Sequence, residues 1–256
     1  TLTDMVTDSR LDEEDFSMER GVILDELAMG EDSPTDTVHD TFQLAVHGDR
    51  PIGRPVGGTA QAIREVERAD VWEHYQAHYG PSSLIVAAAG NVDHDSVCER
   101  VQAALEGSPW DAGSVASPRP RRSTIVTPIA DHDKDITRRR DVTQAHVIIG
   151  CEGLPATDPA GPTMSVLLSV LGGSMSSRLF QEVREKRGLA YTTYAFDVAY
   201  SDTGTFGMYA GCSPDKVDEV EAIMRAQLED LAAGGPTEEE MTRVRGQVRG
   251  GVVLGL

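Results

Sequence analysis

The amino-acid sequence predicts an α+β fold of two homologous domains, each an antiparallel sheet with helices packed on one face. The 256 residues, of which 39% are hydrophobic, are enough for two ordinary domains with separate cores. A segment rich in Pro, Ser, Gly and charge, residues 107–135, separates two halves with the same order of elements. We therefore expect a first domain at residues 1–112, a linker at 113–137 and a second domain at 138–256.

The shared order of elements is an apolar strand, an Ala-Gly turn and an acidic amphipathic helix. The first half has this order in SLIVAAAGNVDHDSVCERVQAAL, and the second has it in TFGMYAGCSPDKVDEVEAIMRAQLEDL. Such a repeat indicates an internal duplication of one α+β unit.

Apolar residues at helical spacing predict three helices in the first half, around residues 18–29, 34–46 and 60–79. A short apolar run predicts a strand from Leu84 to Ala89. The chain opens just ahead of a helix start and ends within a helical pattern that follows Pro236, so we expect it to be part of a longer polypeptide.

The second half begins with a predicted strand from Ala145 to Cys151, followed by a helix over Pro159 to Leu171. Another helix is predicted over Ser176 to Arg187, ended by Gly188, because glycine readily adopts the left-handed conformation that stops a helix. The segments TTYAFDVAY and GTFGMYAG flank SDTG and predict two strands joined by a tight turn.

Composition excludes several classes of function. The formal net charge of -19 argues against a nucleic-acid partner, which needs a concentrated basic surface. No run of about 18 apolar residues and no signal-peptide pattern occurs, so no membrane segment is expected. Cys98, Cys151 and Cys212 are far apart and outside any C-x-x-C, which predicts free thiols and a reducing, cytoplasmic location.

Histidines at helical spacing occur twice without a complete metal motif. His74 and His78 have the i, i+4 spacing of helical zinc ligands, but no glutamate lies between them. We interpret them as part of an aromatic-rich helix end. His39 and His47 are eight residues apart and could line a groove, although a position on the helix surface is the simpler interpretation.

Two glutamates lie where an amphipathic helix should be apolar. At about 100° per residue, Glu19 and Glu26 fall in the middle of the apolar arc, whereas Asp25 lies outside it. A carboxylate on a core-facing stripe is costly to desolvate unless a cation, a metal or several donors meet it. The arc consists of Phe16, Met18, Val22, Ile23, Leu27 and Met29.

An aromatic ring, a guanidinium and a phenol converge near the end of the predicted helix 176–187. Phe180 and Arg184 are four residues apart on one helical face, and Tyr191 follows just past the Gly188 stop. Arg184 and Tyr191 could donate hydrogen bonds to a peptide carbonyl or a developing oxyanion. The alternative interpretation is a salt-bridged surface helix followed by a core tyrosine.

The sequence resembles the M16 family of zinc metallopeptidases, which includes pitrilysin, insulin-degrading enzyme and the mitochondrial processing peptidase. The resemblance covers essentially the whole chain, through ERGVILDELAMGEDSP, GDRPIGRPVGGT, HYGPSSLIVAAAGNVD and GGSMSSRLFQEVREKRGLAYTTYAF. It implies an M16/LuxS-like fold. Residues 1–112 would be the C-terminal part of the first, catalytic domain, and residues 138–256 most of the second, substrate-closing domain.

The resemblance also implies a zinc cofactor and roles for individual residues. Glu26 matches the third protein ligand of the zinc, and Glu19 matches an acidic residue that supports the metal site. The substrate-binding residues Phe180, Arg184 and Tyr191 match positions that close over the substrate. The implied function is zinc-dependent endopeptidase hydrolysis by a zinc-activated water, with unfolded peptides or short polypeptides as substrates and a possible homo- or heterodimer as the assembly.

The sequence departs from the family pattern at the motif that provides the other zinc ligands. No H-x-x-E-H motif occurs in the 256 residues, and in the family arrangement it should lie about 50 residues ahead of Thr1. We therefore predict that this chain alone binds zinc weakly and does not cleave peptides. The alternative is a non-catalytic M16-like subunit with a structural or substrate-binding role. A plain acidic peptide-binding scaffold would rest on charge alone.

Overall fold

A computed structural model describes residues 2–106, 108–110 and 134–255. In chain order its α-helices are α1 (Leu2–Thr7), α2 (Glu13–Asp32), α3 (Pro34–His47), α4 (Ala60–Glu65), α5 (Arg68–His78), α6 (His94–Glu106), α7 (Gly161–Leu171), α8 (Val217–Gly234) and α9 (Glu238–Leu254). The strands are β1 (Ala145–Glu152), β2 (Ala190–Ala199) and β3 (Gly204–Cys212), and a π-helix covers Phe180–Glu185.

The chain divides into two compact units. Unit 1 takes the described residues within 1–29 and 57–123, and unit 2 takes those within 30–56 and 124–256. Residues 30–56, which the sequence placed in the first domain, thus pack with the second half of the chain. The homologous domains at 1–112 and 138–256 stay a prediction, because a division by contacts does not test homology. Most of the linker predicted at 113–137 lies outside the described residues.

The predicted helices of the first half form, with one break. The helix predicted over residues 60–79 is interrupted between α4 and α5. Glu67 accepts from the N3 backbone of α5, while Asp70 accepts from the backbone amide of Glu67, so a capping box starts a new helix there. Ser33 caps α3 by accepting from Asp36 N, and Pro34 occupies the first turn, where its missing amide costs nothing.

The strand predicted from Leu84 to Ala89 is wrong for this chain. These residues have no regular structure, and Ile85 is 91% exposed. A strand needs a neighbour for its backbone hydrogen bonds, and the described part of unit 1 contains no other strand. Apolar content alone therefore does not make this segment a strand.

Unit 2 is built on a three-stranded antiparallel sheet in the order β1-β3-β2. The register runs from Ala145 opposite Cys212 to Glu152 opposite Thr205, and β2 pairs with β3 on the other side. The four residues between Ala199 and Gly204 close the predicted hairpin. The α+β class is confirmed.

The core lies on one face of this sheet. Met208 in the central strand and Met224 in α8 are both 0% exposed, and each such buried side chain contributes about 1.5–3 kcal/mol of hydrophobic stabilisation. The same cluster contains Leu171, Leu179, Val183, Phe206, Ala210 and Val220.

The opposite face of the sheet is covered by α3. A Cβ atom added to Gly150 would lie 2.6 Å from Cζ of Phe42, so the helix approaches β1 closely. With helices on both faces, β3 is buried at every position. The local pattern of α3 could not show this packing partner, because an amphipathic helix does not specify what covers its apolar side.

Candidate functional site

The guanidinium of Arg184 lies between two aromatic rings. Its Cζ atom is 4.7 Å from the ring centroid of Phe180 and 4.5 Å from that of Tyr191. Each cation–π contact is worth about 0.5–1 kcal/mol at an exposed site. The convergence expected from the spacing of these three residues is present in the structure.

A π-helix and its termination produce this arrangement. Lys186 N donates to Gln181 O at 2.9 Å, an i→i+5 bond, so the predicted α-helix is locally widened. Gly188 has φ of 61°, and Leu189 N donates back to Val183 O at 2.9 Å. This left-handed stop, predicted from Gly188, turns the chain into β2 and places the ring of Tyr191 beside Arg184.

The sandwich is accessible to a ligand. Tyr191 is 74% exposed, which rules out the alternative of a core tyrosine. Arg184 has one described ion pair, a contact of 3.8 Å with Glu185, which is long for a strong interaction. The guanidinium N–H groups and the phenol of Tyr191 can therefore donate to an extended peptide.

The other side of the π-helix is anchored in the core. Leu179 and Val183 are both 0% exposed, and Ala190 at the start of β2 is 5% exposed. Glu182 accepts hydrogen bonds from Arg187 and Lys186, and these bonds lower the pKa of its carboxyl. Buried apolar residues thus alternate along one short segment with the candidate binding residues, which are half-buried at Phe180 and Arg184 and exposed at Tyr191.

Arg178, just ahead of the π-helix, ties this segment to α8 and α9. Its Nε donates to Glu240 Oε1 at 2.7 Å and its Nη2 to Oε2 at 3.0 Å, while Nη1 donates to Asp230 at 2.7 Å. The hydrogen bonds from Arg178, helped by those from Thr237, lower the pKa of Glu240 to about 2. The sequence analysis did not predict the ion pair between Arg178 and Glu240. A T-x-x-E pattern at Thr237 indicates the capping box but gives no indication of a partner 62 residues away.

Glu19 and Glu26 lie on α2 and are both exposed. The expectation that their apolar arc faces a core is corrected: α2 has no buried residue, and Met18 and Met29 are 62% and 74% exposed. In the described part of unit 1 this face is covered only in part: Phe16, Ile23 and Leu27 are half-buried, and Met18, Val22 and Met29 are exposed. The two carboxylates, two helical turns apart, therefore lie exposed on one side of a partly covered helix.

The rest of α2 is held by the segment that begins at Gly57. Arg20 donates to Val66 O and lies with its Cζ 4.8 Å above the ring of Phe16. A Cβ atom added to Gly57 would lie 3.0 Å from Cδ2 of Leu27. These contacts fix the helix through residues other than the two glutamates.

The described residues do not complete a metal site. Among them, no group of three or more His, Cys, Asp or Glu side chains could hold a metal ion. His74 and His78 are exposed, with their rings stacked at 4.1 Å and Nδ1 of His78 bonded to His74 O at 2.9 Å. A tetrahedral zinc site takes three or four protein ligands. Glu26 can therefore contribute one ligand, but these residues alone do not fit a closed zinc site.

His39 and His47 both face the sheet, so the interpretation that they lie on the helix surface is wrong. His39 Nε2 lies 3.2 Å from the hydroxyl of Tyr194, and His47 is 0% exposed. The eight-residue spacing was the available signal, because it is close to two helical turns and puts both rings on one face.

Comparison with known families identifies the chain. Residues 65–248 match a family described as "Peptidase M16 inactive domain". Because the match covers more than half of the sequence, the chain belongs to the peptidase M16 family.

Curated relatives have names that refer to a zinc protease. An "uncharacterized zinc protease" of Streptomyces coelicolor is 46% identical, covering 99% of this chain and 55% of the relative. One of Mycobacterium tuberculosis is 38% identical, covering 100% and 57%, and one of Bacillus subtilis is 31% identical, covering 100% and 60%. The chain thus spans little more than half the length of these relatives.

Solved structures show the same fold at low sequence identity. A protease from Helicobacter pylori matches with a TM-score of 0.80 at 20% identity, over 95% of this chain and 59% of that one. A peptidase M16 inactive domain from Pseudomonas fluorescens matches with a TM-score of 0.79 at 16% identity, over 97% and 58%. Within the described residues, no helix is long and apolar enough to cross a membrane.

Proposed function

We propose that this chain is part of a zinc metalloendopeptidase and that it contributes one zinc ligand and the residues that close over a peptide. The observation that carries the proposal is the half-buried guanidinium of Arg184 held between Phe180 and the exposed Tyr191. Membership of the M16 family and the relatives named zinc proteases support it.

The sandwich suits an extended peptide for a physical reason. Two aromatic rings restrict the guanidinium of Arg184, so less side-chain freedom is lost when it binds. Its N–H groups and the Tyr191 hydroxyl can donate to backbone carbonyls, which every unfolded peptide presents regardless of sequence. The proposed substrates are therefore unfolded peptides or short polypeptides.

The metal chemistry needs more than the described residues provide. We assign Glu26 as one ligand and Glu19 as a supporting carboxylate, and we place the other ligands in an H-x-x-E-H motif ahead of Thr1. The chain alone should accordingly bind zinc weakly and leave peptides uncut. A cytoplasmic location and a homo- or heterodimeric assembly are further parts of the proposal.

A non-catalytic M16-like subunit is the second candidate, and one observation favours it. The family description that matches residues 65–248 is that of an inactive domain. A subunit that binds peptides without cutting them could use the same Arg184 sandwich. The two candidates differ in whether Glu26 works with a complete set of zinc ligands.

Zinc content in a polypeptide extended ahead of Thr1 tests the ligand assignment. Glu26→Gln should remove bound zinc, measured by mass spectrometry of the metal, because a neutral amide is a poor zinc ligand. Glu19→Gln should keep the metal but lower peptidase activity. Asp25→Asn is the matched control, since Asp25 is an exposed carboxylate on α2 outside the arc.

The outcomes separate the candidates. Full zinc occupancy in the Glu26→Gln protein would refute the ligand assignment. An extended protein that binds peptides but contains no zinc and cuts nothing would favour the non-catalytic subunit. Loss of zinc in Asp25→Asn would mean that any change on α2 disturbs the metal.

A further inference from the structure

The contact between α3 and the sheet of unit 2 is tightly fitted in its middle. Phe42 packs on the bare backbone of Gly150 and meets the ring of Phe196 edge-on, with centroids 5.8 Å apart. A Cβ atom at Gly207 would lie 2.5 Å from the same Phe196 ring. Glycines in two neighbouring strands thus make room for aromatic side chains under α3.

On one side of this fitted centre, histidine and tyrosine side chains pair. His39 Nδ1 lies 2.8 Å from Thr35 O and donates to it, because a carbonyl only accepts, and His39 Nε2 lies 3.2 Å from the Tyr194 hydroxyl. His146 Nδ1 lies 2.8 Å from the Tyr209 hydroxyl. Polar groups at this end therefore have partners.

The other end, where α3 terminates, is different. His47 is 0% exposed, and neither of its ring nitrogens has a hydrogen-bond partner among the described residues. Its ring meets that of Tyr200 edge-on at 6.4 Å. The buried Oε1 of Gln43, one turn earlier, and Oγ1 of Thr205 also lack hydrogen bonds in the described structure. More than nine-tenths of buried polar groups in proteins are hydrogen-bonded, so this end of the contact is unfavourable as it stands.

Three charged groups, each from a different neighbouring segment, act on His47. Glu152 at the end of β1 and Asp202 in the hairpin favour its protonated form, whereas Arg50, just after α3, disfavours it. Burial has the largest effect, and the net result is that the pKa of His47 lies below its ordinary value of 6.5. The docked contact, in which the ring is buried without a hydrogen-bond partner among the described residues, therefore favours the neutral imidazole.

We propose that α3 is a pH-sensitive latch, docked on the sheet of unit 2 while His47 is neutral and released when His47 takes up a proton. Release would free the segment Gly30–Val56, whose neighbours in the chain on both sides belong to unit 1. The proposal rests on the packing of α3 and not on the proposed peptidase function.

The size of the effect follows from proton linkage. In released α3 the imidazole would have its ordinary pKa of about 6.5, so only about one molecule in thirty remains neutral at pH 5. If docked His47 stays neutral, acidification from pH 8 to 5 increases the released fraction by up to about thirtyfold. The docked form of α3 is therefore most stable above about pH 6.5, and its stability relative to the released form falls as the pH drops below that value.

Hydrogen–deuterium exchange of the 256-residue chain between pH 8 and 5 tests the latch. After correction for the chemical pH dependence of exchange, the amides of α3 should lose about tenfold to thirtyfold in protection. The amides of α8, in the core of the same unit, should stay protected. Acidification alone, with no variant, therefore provides the first test.

Two substitutions sharpen the test. His47→Leu puts an apolar side chain of moderate size that takes up no proton in the same place, and the loss of α3 protection on acidification should fall well below about tenfold. Any remainder would come from His146, whose pKa burial also lowers. His74→Leu, at an exposed histidine in unit 1, should behave like the unsubstituted chain.

Three outcomes would overturn the latch. The first is unchanged α3 protection between pH 8 and 5, and the second is an equal loss of protection in α8, which would mean that the whole unit opens. The third comes from NMR of the unsubstituted chain. If the His47 ring titrates at 6.5 or above while α3 stays protected, a docked imidazolium is tolerated and there is no switch.

Discussion

Replacing Glu240 by glutamine should destabilise unit 2 and remove much of its acid sensitivity. Glu240 accepts two hydrogen bonds from Arg178, and the two side chains are only 13% and 11% exposed. Glutamine has nearly the same shape but no charge, so Arg178 would lose its main counterion. Breaking a partly buried ion pair by changing one partner commonly costs about 3 kcal/mol or more.

The pKa of Glu240 gives an independent magnitude. Its value of about 2, against 4.5 for an unperturbed glutamate, corresponds to about 3 kcal/mol at about 1.4 kcal/mol per pKa unit. Because the folded-state pKa is depressed, this stabilisation is complete above 4.5 and is lost as pH falls towards 2. By the same relation, less than half of it, about 1.4 kcal/mol, remains at pH 3.

The assay is hydrogen exchange in β3, whose residues are all buried and whose amides therefore exchange when unit 2 opens. The free energy of opening should be about 3 kcal/mol lower in Glu240→Gln than in the unsubstituted chain at pH 6, and the gap should narrow by about 2 kcal/mol at pH 3. Glu239→Gln is the control, because Glu239 is 85% exposed and its pair with Arg243 is a surface pair worth at most about 0.5 kcal/mol. Equal free energies of opening in Glu240→Gln and Glu239→Gln would contradict this prediction. So would a difference between Glu240→Gln and the unsubstituted chain that stays the same from pH 6 to pH 3.

Two further predictions concern the binding residues and the contact beneath α3. Arg184→Lys should weaken binding of a fluorescent unfolded peptide about tenfold in an anisotropy titration, because an ammonium cannot stack flat between two rings, and unchanged affinity would exclude the sandwich as a peptide contact. Gly150→Ala should lower the stability of unit 2 by about 2 kcal/mol in a thermal melt, because its Cβ would clash with the backbone oxygen of Phe206 in β3 and press on the Phe42 ring at 2.6 Å. Gly246→Ala lies in α9, where an added Cβ has no described atom within 4 Å apart from the helix's own backbone, and it should instead raise the stability by about 0.5–1 kcal/mol. Equal effects at the two glycines would contradict the packing of Phe42 against Gly150.

Local pattern predicted the elements whose causes are local. The helices, the hairpin across SDTG and the stop at Gly188 each depend on residues a few positions apart. The approach of Phe180 to Arg184 was also predictable, since side chains four residues apart meet on one helical face. Membership of the M16 family was predicted from longer sequence blocks, such as GGSMSSRLFQEVREKRGLAYTTYAF.

Several features could not be predicted because their partners are distant in sequence. The segment from Leu84 to Ala89 has the composition of a strand but no strand to pair with in the described part of unit 1. The arc containing Glu19 and Glu26 has the pattern of a buried face, but none of its residues is buried in the part of the chain that the structure describes. A sequence pattern shows which side chains of a segment are apolar enough to be buried. Whether they are buried depends on which other elements of the folded chain pack against that segment.

The sequence by itself determined the α+β class, most helices, the hairpin and the candidate residues Glu19, Glu26, Phe180, Arg184 and Tyr191. Only the tertiary structure decided that Arg178 binds Glu240, that α3 packs on the sheet of unit 2, and that His47 is buried there without a hydrogen-bond partner among the described residues. The physical reason is the range of the interactions. Capping, turns and helical spacing act within a few residues, whereas burial and ion pairing join positions that only the folded chain brings together.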